Sequence, residues 1–304
     1  MTKSNRRATE GSADSDSPPG PLSDLDFAVI GAGRVGASFG TWAVAAGARW
    51  TRISGRSAER LARRRTAEPA LDGGLGDARW DDAATFSSAD CDVLLLTVAD
   101  PDLGSVAEAL AARPQAPVAL HASGHFDAEA LAPLRAAGCS VGSLHPLKAF
   151  ADIAPEPPAG LLFGIDGDDA AREMAAAWAL AFGGRPHEVS GQRRVLYHLA
   201  ASLAAGGVAT VLALVERLVH DTDLPPPLLG SYLDLARGAI DALGDAHGDE
   251  EPLVDAVTGP AARGDLPTLE RQRRALLEVA PDLEPMVEGL MATTRSLCAP
   301  DRRP

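Results

Sequence analysis

The sequence predicts an α/β protein with a doubly wound parallel sheet in its first half and an all-helical second part. Three observations support this fold class. Between Asp26 and Gly47, a short apolar strand runs into a glycine-rich turn and a helix. Strand-like apolar segments then alternate with helical segments as far as Phe150, and beyond Gly191 the hydrophobic periodicity is helical throughout.

The first strand, turn and helix form the clearest motif, DFAVIGAGRVG at residues 26–36. Gly31 permits a tight turn, Gly33 lets a pyrophosphate approach the backbone, and Gly36 lets the helix pack closely on the strand. The free N–H groups at the helix start then face the phosphates. We therefore expect a dinucleotide site of the Rossmann type rather than a glycine turn that merely joins two elements. Its cofactor-binding residues would be Gly31, Gly33, Arg34, Val35 and Gly36, with Val98 and Ala99 on the loop after a later strand.

Strands and helices then follow one another at the spacing of a doubly wound sheet. The predicted strands are 48–54, 92–98, 117–121 and 139–144, with outer strands at 161–165 and 187–189; the predicted helices are 57–67, one from Leu103, 128–137 and 168–182, and 71–82 is a loop. Ligands of such sheets bind at the carboxyl ends of the strands. The loops after Gly31, Ser54, Val98, His121 and Leu144 should therefore line one crevice.

Composition divides the chain into three parts. Residues 1–23 are rich in Ser, Asp, Gly and Pro and are expected to form a disordered tail. Residues 24–190 should form the Rossmann domain, and residues 191–300 a helical domain for dimerisation and substrate binding. The helices predicted there are 192–220, 229–243, 251–257, 267–279 and 283–298.

The first of these helices has an uncharged stretch from Leu199 to Val215. At roughly 17 residues the stretch only reaches the lower limit for a membrane span. It is rich in Ala and Gly, and Gly206 and Gly207 suggest that another backbone presses against it. We therefore expect a helix that is buried on all sides, at a subunit interface.

Net charge and cysteine content argue against several classes of function. A net charge of −14 leaves no large basic surface for nucleic-acid phosphates or anionic lipid. The three cysteines, Cys91, Cys139 and Cys298, are far apart and lack metal-ligand spacing. We expect no metal site, no nucleic-acid or membrane partner, and a cytoplasmic protein with reduced thiols, since the N-terminus also shows no apolar signal segment.

The residues after the second strand predict which dinucleotide binds. An NAD site places Asp or Glu there to accept hydrogen bonds from the ribose hydroxyls, and no acidic residue occurs between Gly47 and Ala58. Arg56 and Ser57 offer instead a guanidinium and a hydroxyl to a 2′-phosphate. We therefore expect NADP, although a solvated Arg56 at the start of an Arg-rich helix would fit the same sequence.

Two segments contain candidate catalytic side chains. In CSVGSLHPLKAF, residues 139–150, His145 directly follows a strand and Lys148 is the only lysine outside the tail. A histidine can transfer protons near neutral pH and a lysine can polarise a carbonyl; alternatively His145 buttresses a domain junction and Lys148 is a surface charge. Tyr197 and His198 open the apolar helix and could bind a substrate oxygen, or be satisfied core residues that hold two domains together.

Three further polar residues are candidates for substrate binding. Ser123 follows the strand that ends at His121, where a nicotinamide ring would lie, although both residues could equally form the turn. Ser202 is the next polar side chain along the apolar helix. Arg263 could bind a substrate carboxylate, or pair with Asp265 as a structural clasp.

Five motifs carry a resemblance to a known group of proteins: GAGRVG at 31–36, HASG at 121–124, SLHPLKAF at 143–150, YHLAAS at 197–202 and TGPAARGD at 258–265. From about Asp26 to Leu290 the chain resembles Rossmann-like proteins that carry a C-terminal helical domain of unknown function. These are relatives of the 6-phosphogluconate dehydrogenase-like, pyrroline-5-carboxylate reductase and deazaflavin-dependent NADP oxidoreductase group. The resemblance implies an NADP domain, a 6-phosphogluconate dehydrogenase-like helical domain that forms a homodimer, and an active site between them.

The chain departs from this group at two positions. Gly206 stands where relatives have Asn, and Lys148 where many have Gln. In related dehydrogenases a Lys and an Asn together handle the substrate carbonyl, so the missing Asn puts that mechanism in doubt, while Lys148 would partly replace it.

Two functions fit the sequence. The first is an NADP-dependent oxidoreductase that transfers hydride between nicotinamide and a small carbonyl or imine, for example a ketopantoate-reductase-like reduction of a 2-oxo acid. In it Lys148 or His198 would protonate the substrate heteroatom, and His145 would orient the site. The second is a regulatory dimer that senses NADP without turnover.

Overall fold

The structure is a computed structural model that describes residues 20–55, 59, 78–82, 84–222, 224–248 and 252–299. The chain groups into two compact units, residues 1–202 and residues 203–304. The helix predicted at 57–67 and most of the predicted tail lie outside the described residues. The domain boundary at residue 190 stays a prediction.

The first unit contains one eight-stranded sheet of order β3-β2-β1-β4-β5-β6-β7-β8. Its strands are β1 Asp26–Ile30, β2 Arg49–Ser54, β3 Arg79–Trp80, β4 Val93–Leu96, β5 Val118–His121, β6 Ser140–Pro146, β7 Leu162–Gly167 and β8 Arg185–Glu188. Neighbouring strands are parallel except β6 and β7, which are antiparallel. The order β3-β2-β1-β4-β5-β6 is that of a Rossmann sheet, whose strand order reverses between β1 and β4. The predicted doubly wound fold is thus confirmed.

Helices cover both faces of this sheet. They are α1 Arg34–Ala45, α2 Leu103–Ala111, α3 Ala132–Ala136, α4 Asp169–Ala181 and α5 Gln192–Ser202. On one face, Trp42 of α1 and Trp178 of α4 pack with Phe27 of β1. On the other, Leu110 of α2 and Leu134 of α3 pack with β4. The four residues of β4 are all buried, as expected for a strand between two helical layers.

Two segments of the first unit differ from the expectation. The short strand β3 lies inside the predicted loop 71–82 and pairs only with Arg52 and Ile53 of β2. A two-residue strand leaves no alternating pattern, so the nearby glycines suggested a loop. Leu22 lies within the predicted tail but is buried, and its N–H donates to the carbonyl of Ala46. One apolar side chain is enough to dock this short turn on the end of α1.

The second unit is helical in its described residues, as predicted. Its helices are α6 Val208–Asp221, α7 Leu228–Gly248, α8 Pro260–Arg263, α9 Leu266–Val279 and α10 Glu284–Cys298. A π-helical turn, Leu203–Gly207, precedes α6. In place of the helix predicted at 251–257, the chain forms a short 3-10 turn at Leu253–Ala256.

The apolar helix is exposed in the single chain, and its burial at a subunit interface stays a prediction. Leu196 and Leu203 are 66% and 62% exposed, and Arg194 is the only buried residue of α5. A Cβ on Gly206 would meet no atom of the described residues within 4 Å. Gln192–Asp221 is also long and apolar enough to cross a membrane, which for a single helix is weak evidence.

Candidate functional site

The turn after β1 has the geometry of a phosphate-binding loop. Gly31 adopts a φ of 104°, and a Cβ there would stand 2.6 Å from the carbonyl carbon of Thr97. A Cβ on Gly36 would collide with the Gly31 carbonyl and the Thr97 hydroxyl. On Gly33, by contrast, a Cβ would meet no atom within 4 Å. The turn is therefore closed toward β4 and open at Gly33.

Backbone donors lie at the open side of this turn. Gly33 is the N-cap of α1 and has no side chain to bond the first N–H groups. These groups have no partner within a helix and lie at the positive end of its dipole. Val98 follows β4 beside the turn, since its nitrogen is 2.8 Å from the position of a Gly31 Cβ, and Ala99 comes next. The backbone N–H groups of this turn and the space at Gly33 suit a dinucleotide pyrophosphate. The predicted cofactor residues Arg56 and Ser57 lie outside the described residues.

Arg34 ties the turn to the segment that follows β6. Its Nη1 donates to the two backbone carbonyls of residues 150–151, each at 2.9 Å. Further along the same face of α1, Ser38 Oγ accepts from the Ala154 N–H at 2.9 Å and Trp42 Nε1 donates to the Ala154 carbonyl at 2.8 Å. The predicted cofactor residue Arg34 thus fastens a strap, residues 150–154, along α1.

His121 and Ser123 form the turn after β5. Nε2 of the buried His121 is 2.9 Å from the Asp127 carbonyl, which can only accept, and Nδ1 accepts from the Ser123 N–H at 3.2 Å. The ring is therefore neutral with its proton on Nε2, and burial lowers its pKa to about 4. Ser123 Oγ accepts from the N–H groups of His125 and Phe126. Both side chains thus hold the turn together, and a place beside the nicotinamide stays a prediction.

His145, Tyr197 and His198 come together beside that turn. Nδ1 of His145 and Oη of Tyr197 are 2.8 Å apart. The ring centroids of His145 and His198 are 6.0 Å apart. A Cβ on Gly124 would stand 2.6 Å from His145 Nε2 and 2.6 Å from His198 Nδ1. Two imidazole nitrogens thus converge on one glycine, and we call Gly124, His145, Tyr197 and His198 the histidine cluster.

Local sequence explains how these side chains meet. His145 lies at the end of β6 opposite Gly164 of β7, and a Cβ on Gly164 would be 3.1 Å from the Tyr197 hydroxyl. The glycine therefore leaves room for the phenol ring. Helix α5 carries Arg194, Tyr197 and His198 at positions i, i+3 and i+4, which share one face of a helix.

Burial determines the protonation of His145 and Tyr197. It lowers the pKa of His145 to about 3, with a further contribution from the charge of Arg194, and it raises the pKa of Tyr197. Both groups are therefore neutral near pH 7. Because a phenol is the better donor and an imidazole nitrogen the better acceptor, we assign Tyr197 as donor to Nδ1, which leaves the His145 proton on Nε2. Nδ1 of His198 is buried and has no hydrogen-bond partner among the described residues.

Arg194 binds the backbone of the turn that contains Gly124. It is fully buried, its Nη2 donates to the Ser123 carbonyl at 2.7 Å, and its Nη1 donates to the Val189 carbonyl at 3.0 Å. Its Nε has no hydrogen-bond partner among the described residues, and burial lowers its pKa. The guanidinium therefore fixes the β5 turn next to Gly124 through backbone carbonyls rather than through an ion pair.

Among the described residues of the first unit, the predicted site residues Lys148 and Ser202 make no hydrogen bond to the ring atoms of this cluster. Lys148 Nζ lies 5.6 Å from the centroid of the Phe150 ring, in the strap region. Ser202 Oγ donates to the His198 carbonyl at 2.9 Å, within its own helix. Arg263 ends α8 in the second unit, where Asp265 accepts from the Thr268 N–H and caps α9. The clasp considered between Arg263 and Asp265 does not form as a direct ion pair within the described residues.

Sequence reasoning missed Gly124 and Arg194. Gly124 is part of the HASG motif, but its importance follows from two rings that are distant in sequence. Arg194 precedes Tyr197 by one helical turn, which was a usable signal, yet the chain has so many arginines that none stands out.

Metal-ligand clusters and cavities are other places where a ligand could bind. No group of three or more His, Cys, Asp or Glu residues suited to a metal ion occurs among the described residues. The second unit contains an apolar cavity of about 580 Å³ between α6, α7, α9 and α10. None of the predicted site residues lines this cavity.

The fold and the turn after β1 define a Rossmann-like protein, and the family model of a Rossmann-like domain matches residues 13–146. Residues 161–293 match the model of the domain of unknown function DUF2520. The chain therefore combines a Rossmann-like domain with a DUF2520 domain, which confirms the resemblance found in the sequence. No curated protein matches the chain.

Solved structures share this fold over most of the chain. A Bacteroides fragilis protein provisionally described as an NADP oxidoreductase is 18% identical, with a TM-score of 0.73, and the match covers 90% of this chain and 99% of the other. A Thermotoga maritima protein is 20% identical, with a TM-score of 0.64 and coverages of 91% and 100%. An imine reductase from Myxococcus stipitatus in complex with NADP+ is 15% identical, with a TM-score of 0.55 and coverages of 90% and 92%. At these identities the likeness shows the fold.

Proposed function

We propose that the protein is an NADP-dependent oxidoreductase that reduces a small carbonyl or imine compound. The observation that carries this proposal is the histidine cluster, in which two imidazole nitrogens converge at the carboxyl edge of the sheet that also carries the glycine turn. Strand β5 lies two positions from β1, which is about 10 Å at the usual strand spacing. An extended dinucleotide on Gly33 spans that distance.

The chain's own residues would bind and protonate the substrate. The bound nicotinamide supplies or accepts a hydride. His145 Nε2–H would donate a hydrogen bond to the substrate heteroatom and release its proton to it as the hydride reaches carbon. Tyr197 would pass its hydroxyl proton to Nδ1 through the 2.8 Å contact, so the buried ring stays neutral. This leaves Tyr197 as a tyrosinate, which the charge of Arg194 would favour and which would regain a proton from solvent before the next turnover. A neutral imidazole can act as such an electrophile, as in triosephosphate isomerase.

The first experiment tests the cofactor site through the open position at Gly33. Gly33→Leu places a side chain where the pyrophosphate would lie, and nothing in the fold opposes it. We expect NADPH affinity, measured by its fluorescence on binding, to fall at least about tenfold, while stability changes by about 1 kcal/mol or less. Unchanged NADPH binding would contradict the proposed site.

A second experiment tests the choice of NADP over NAD. Arg56→Ala should weaken NADPH binding and leave NADH binding unchanged, because only NADPH carries the 2′-phosphate. Arg60→Ala, in the same Arg-rich segment, is the matched control and should leave both affinities unchanged. Preference of the parent protein for NADH would overturn the assignment.

The third experiment tests turnover. A panel of 2-oxo acids, ketones and cyclic imines is screened for NADPH oxidation, and any active substrate is tested with Tyr197→Phe and Lys148→Ala. We expect Tyr197→Phe to lower kcat by about 10² or more, as for loss of a proton donor. Lys148→Ala should have a smaller effect, because Lys148 packs over Phe150 instead of bonding the cluster rings.

A non-catalytic NADP sensor remains the second candidate. It is favoured by Gly206, which offers no side-chain amide to a substrate, and by the placement of Lys148 over the Phe150 ring. In this case NADPH binds with the predicted sensitivity to Gly33→Leu, and no member of the substrate panel is reduced.

We also propose that the protein is a homodimer through its helices. The exposed leucines of α5 and of the turn that follows support this proposal, since monomers rarely leave a large contiguous apolar face in water.

A further inference from the structure

The histidine cluster offers a hydrogen-bond donor toward a ligand at His145, whose buried ring is uncharged. His145 Nδ1 is engaged by Tyr197 at 2.8 Å, so the proton of the neutral ring is on Nε2, next to Gly124. Nε2 makes no hydrogen bond within the described residues. A ligand that meets His145 at this atom must therefore present an acceptor.

The cation of Arg194 is the charged side chain that acts most strongly on His145. Its two terminal nitrogens donate to the carbonyls of Val189 and Ser123, and no carboxylate forms an ion pair with it among the described residues. Ser123 is the residue before Gly124, so the guanidinium lies directly behind the glycine on which the rings converge. A fully buried cation without a bonded anion repels a second cation brought close to it.

Every element around the cluster carries titratable or charged side chains that affect the charge at His145 and Arg194. The turn after β5 carries His121, His125 and Asp127, β6 carries His145, β7 carries Asp166, and α5 carries Arg194, Tyr197 and His198; Asp100 follows β4. The three carboxylates attract the charge of Arg194. None of them is among the groups that act on His145, where burial, Arg194 and the two other imidazoles all oppose a positive charge.

We infer that the cluster selects a carbonyl oxygen, or an oxyanion, and rejects a protonated imine. The carbonyl accepts from His145 Nε2–H over Gly124, whereas an iminium N–H would face another donor and the buried guanidinium of Arg194. This inference rests on the proposed function and narrows its substrate class from carbonyls and imines to carbonyls. The features that keep the imidazole uncharged exclude a cationic substrate for the same electrostatic reasons.

Histidine NMR of the whole protein tests this selection without turnover. The ring nitrogens of His145 and His198 are assigned in two-bond ¹H–¹⁵N spectra with His→Gln variants, and the NADP+-loaded protein is titrated with oxamate or pyrrolidinium. Oxamate offers oxygen acceptors, and pyrrolidinium is a cation with N–H donors only. We expect oxamate to shift the His145 resonances at a concentration at least about tenfold below that needed for pyrrolidinium.

Arg194→Gln tests the origin of the preference, with its exposed neighbour changed in Arg193→Gln as the matched control. The first variant should raise the pKa of His145 and narrow the preference for oxamate, and the second should leave both unchanged. If Arg194→Gln fails to fold, the two titrations of the parent protein still decide the question. Equal or tighter binding of pyrrolidinium by the parent protein overturns the inference.

The outcome is distinguishable from failure of the proposed function. Oxamate bound at His145 without any NADPH oxidation would contradict the oxidoreductase and leave the selectivity of the site intact. Reduction of a cyclic iminium, with no reduction of the matching cyclic ketone, would support the oxidoreductase and overturn the selectivity.

Discussion

At the scale of single residues, Gly124 decides whether the histidine pair can form. A Cβ at this position must displace one or both rings, because it would stand 2.6 Å from each nitrogen. We expect Gly124→Ala to destabilise the protein by about 1–3 kcal/mol, as overpacking does, and to abolish NADPH oxidation. Urea unfolding and the NADPH assay measure the two effects.

Gly104→Ala is the control for that substitution. Gly104 lies in α2, and a Cβ there would meet no atom within 4 Å. Replacing a helical glycine by alanine should be neutral or stabilise by up to about 1 kcal/mol. If Gly124→Ala and Gly104→Ala have the same stability and the same NADPH oxidation, the two rings do not pack closely against Gly124.

The buried histidines make stability depend on pH. The pKa values of His121 and His145 fall from the ordinary 6.5 to about 4 and about 3 on folding. Below pH 6.5 the unfolded chain binds protons that the folded chain refuses, so stability is lost as the pH falls toward 4. Each histidine contributes a slope of up to about 1.4 kcal/mol per pH unit.

Urea unfolding at a series of pH values between 4 and 7.5 checks this dependence. His145→Gln should flatten the profile, because one of the two groups responsible is removed. His187→Gln, at an exposed position of β8, should reproduce the parent profile. An unchanged slope in His145→Gln would show that the ring is not held neutral by the fold.

Residue chemistry could be predicted from the sequence where it depends on the residue's own segment. His145 was identified because it adjoins the end of a predicted strand, and Tyr197 and His198 because they directly precede the uncharged stretch of the predicted helix. The rarity of Lys148 pointed to the same site, but its side chain packs over Phe150 after the turn at Pro146. The direction of a side chain beyond a strand end depends on contacts that local sequence does not encode.

At the scale of elements, α1 both supports the phosphate turn and anchors the strap. Trp42 is 1% exposed, and its Nε1 donates to the Ala154 carbonyl at 2.8 Å. Trp42→Phe keeps most of the apolar contact and removes this donor. We expect a loss of about 1–3 kcal/mol in stability from the unpaired buried group and the smaller ring, measured by urea unfolding.

The same variant discriminates between two roles of the strap. If residues 150–154 only cover the sheet, NADPH affinity stays unchanged in Trp42→Phe. If they also position Arg34 beside the phosphates, NADPH affinity falls, because the strap carbonyls of residues 150–151 hold that guanidinium. A loss of stability no larger than that of Leu180→Ala, at a 63% exposed position, would contradict the buried hydrogen bond itself.

Elements of regular pattern could be predicted and the others could not. The apolar run at β4 and the glycine turn before α1 define their own structures, and both lie where expected. Strand β3 has two residues and depends on pairing with β2, so its formation is a tertiary effect. The π-turn Leu203–Gly207 likewise follows from two glycines, which suggested close packing but instead loosen the helix.

At the scale of the whole molecule, the apolar helix has leucine side chains that are exposed in the single chain. The sequence predicts burial of the stretch 199–215 at a subunit interface, and Leu199, Leu203 and Val208 of this stretch are exposed in the single chain. Helix α5 presents Arg194, Tyr197 and His198 on the side facing the sheet and leucines on its outer side. A homodimer that covers the outer side would also hold α5, and with it the histidine cluster, in place.

This arrangement predicts that dimerisation and activity fail together. Leu196 and Leu199 are 66% and 52% exposed in one chain, and glutamate at both positions would place two charges in an apolar interface. We expect sedimentation velocity to show a dimer for the parent protein and a monomer for Leu196→Glu/Leu199→Glu, with loss of NADPH oxidation in the monomer. NADPH affinity should change less, because the glycine turn lies between β1 and α1.

Leu180→Glu, which adds a charge at the 63% exposed position on α4, is the control and should stay dimeric and active. A parent protein that sediments as a monomer, or a fully active monomeric variant, would contradict the link between the helix interface and the site.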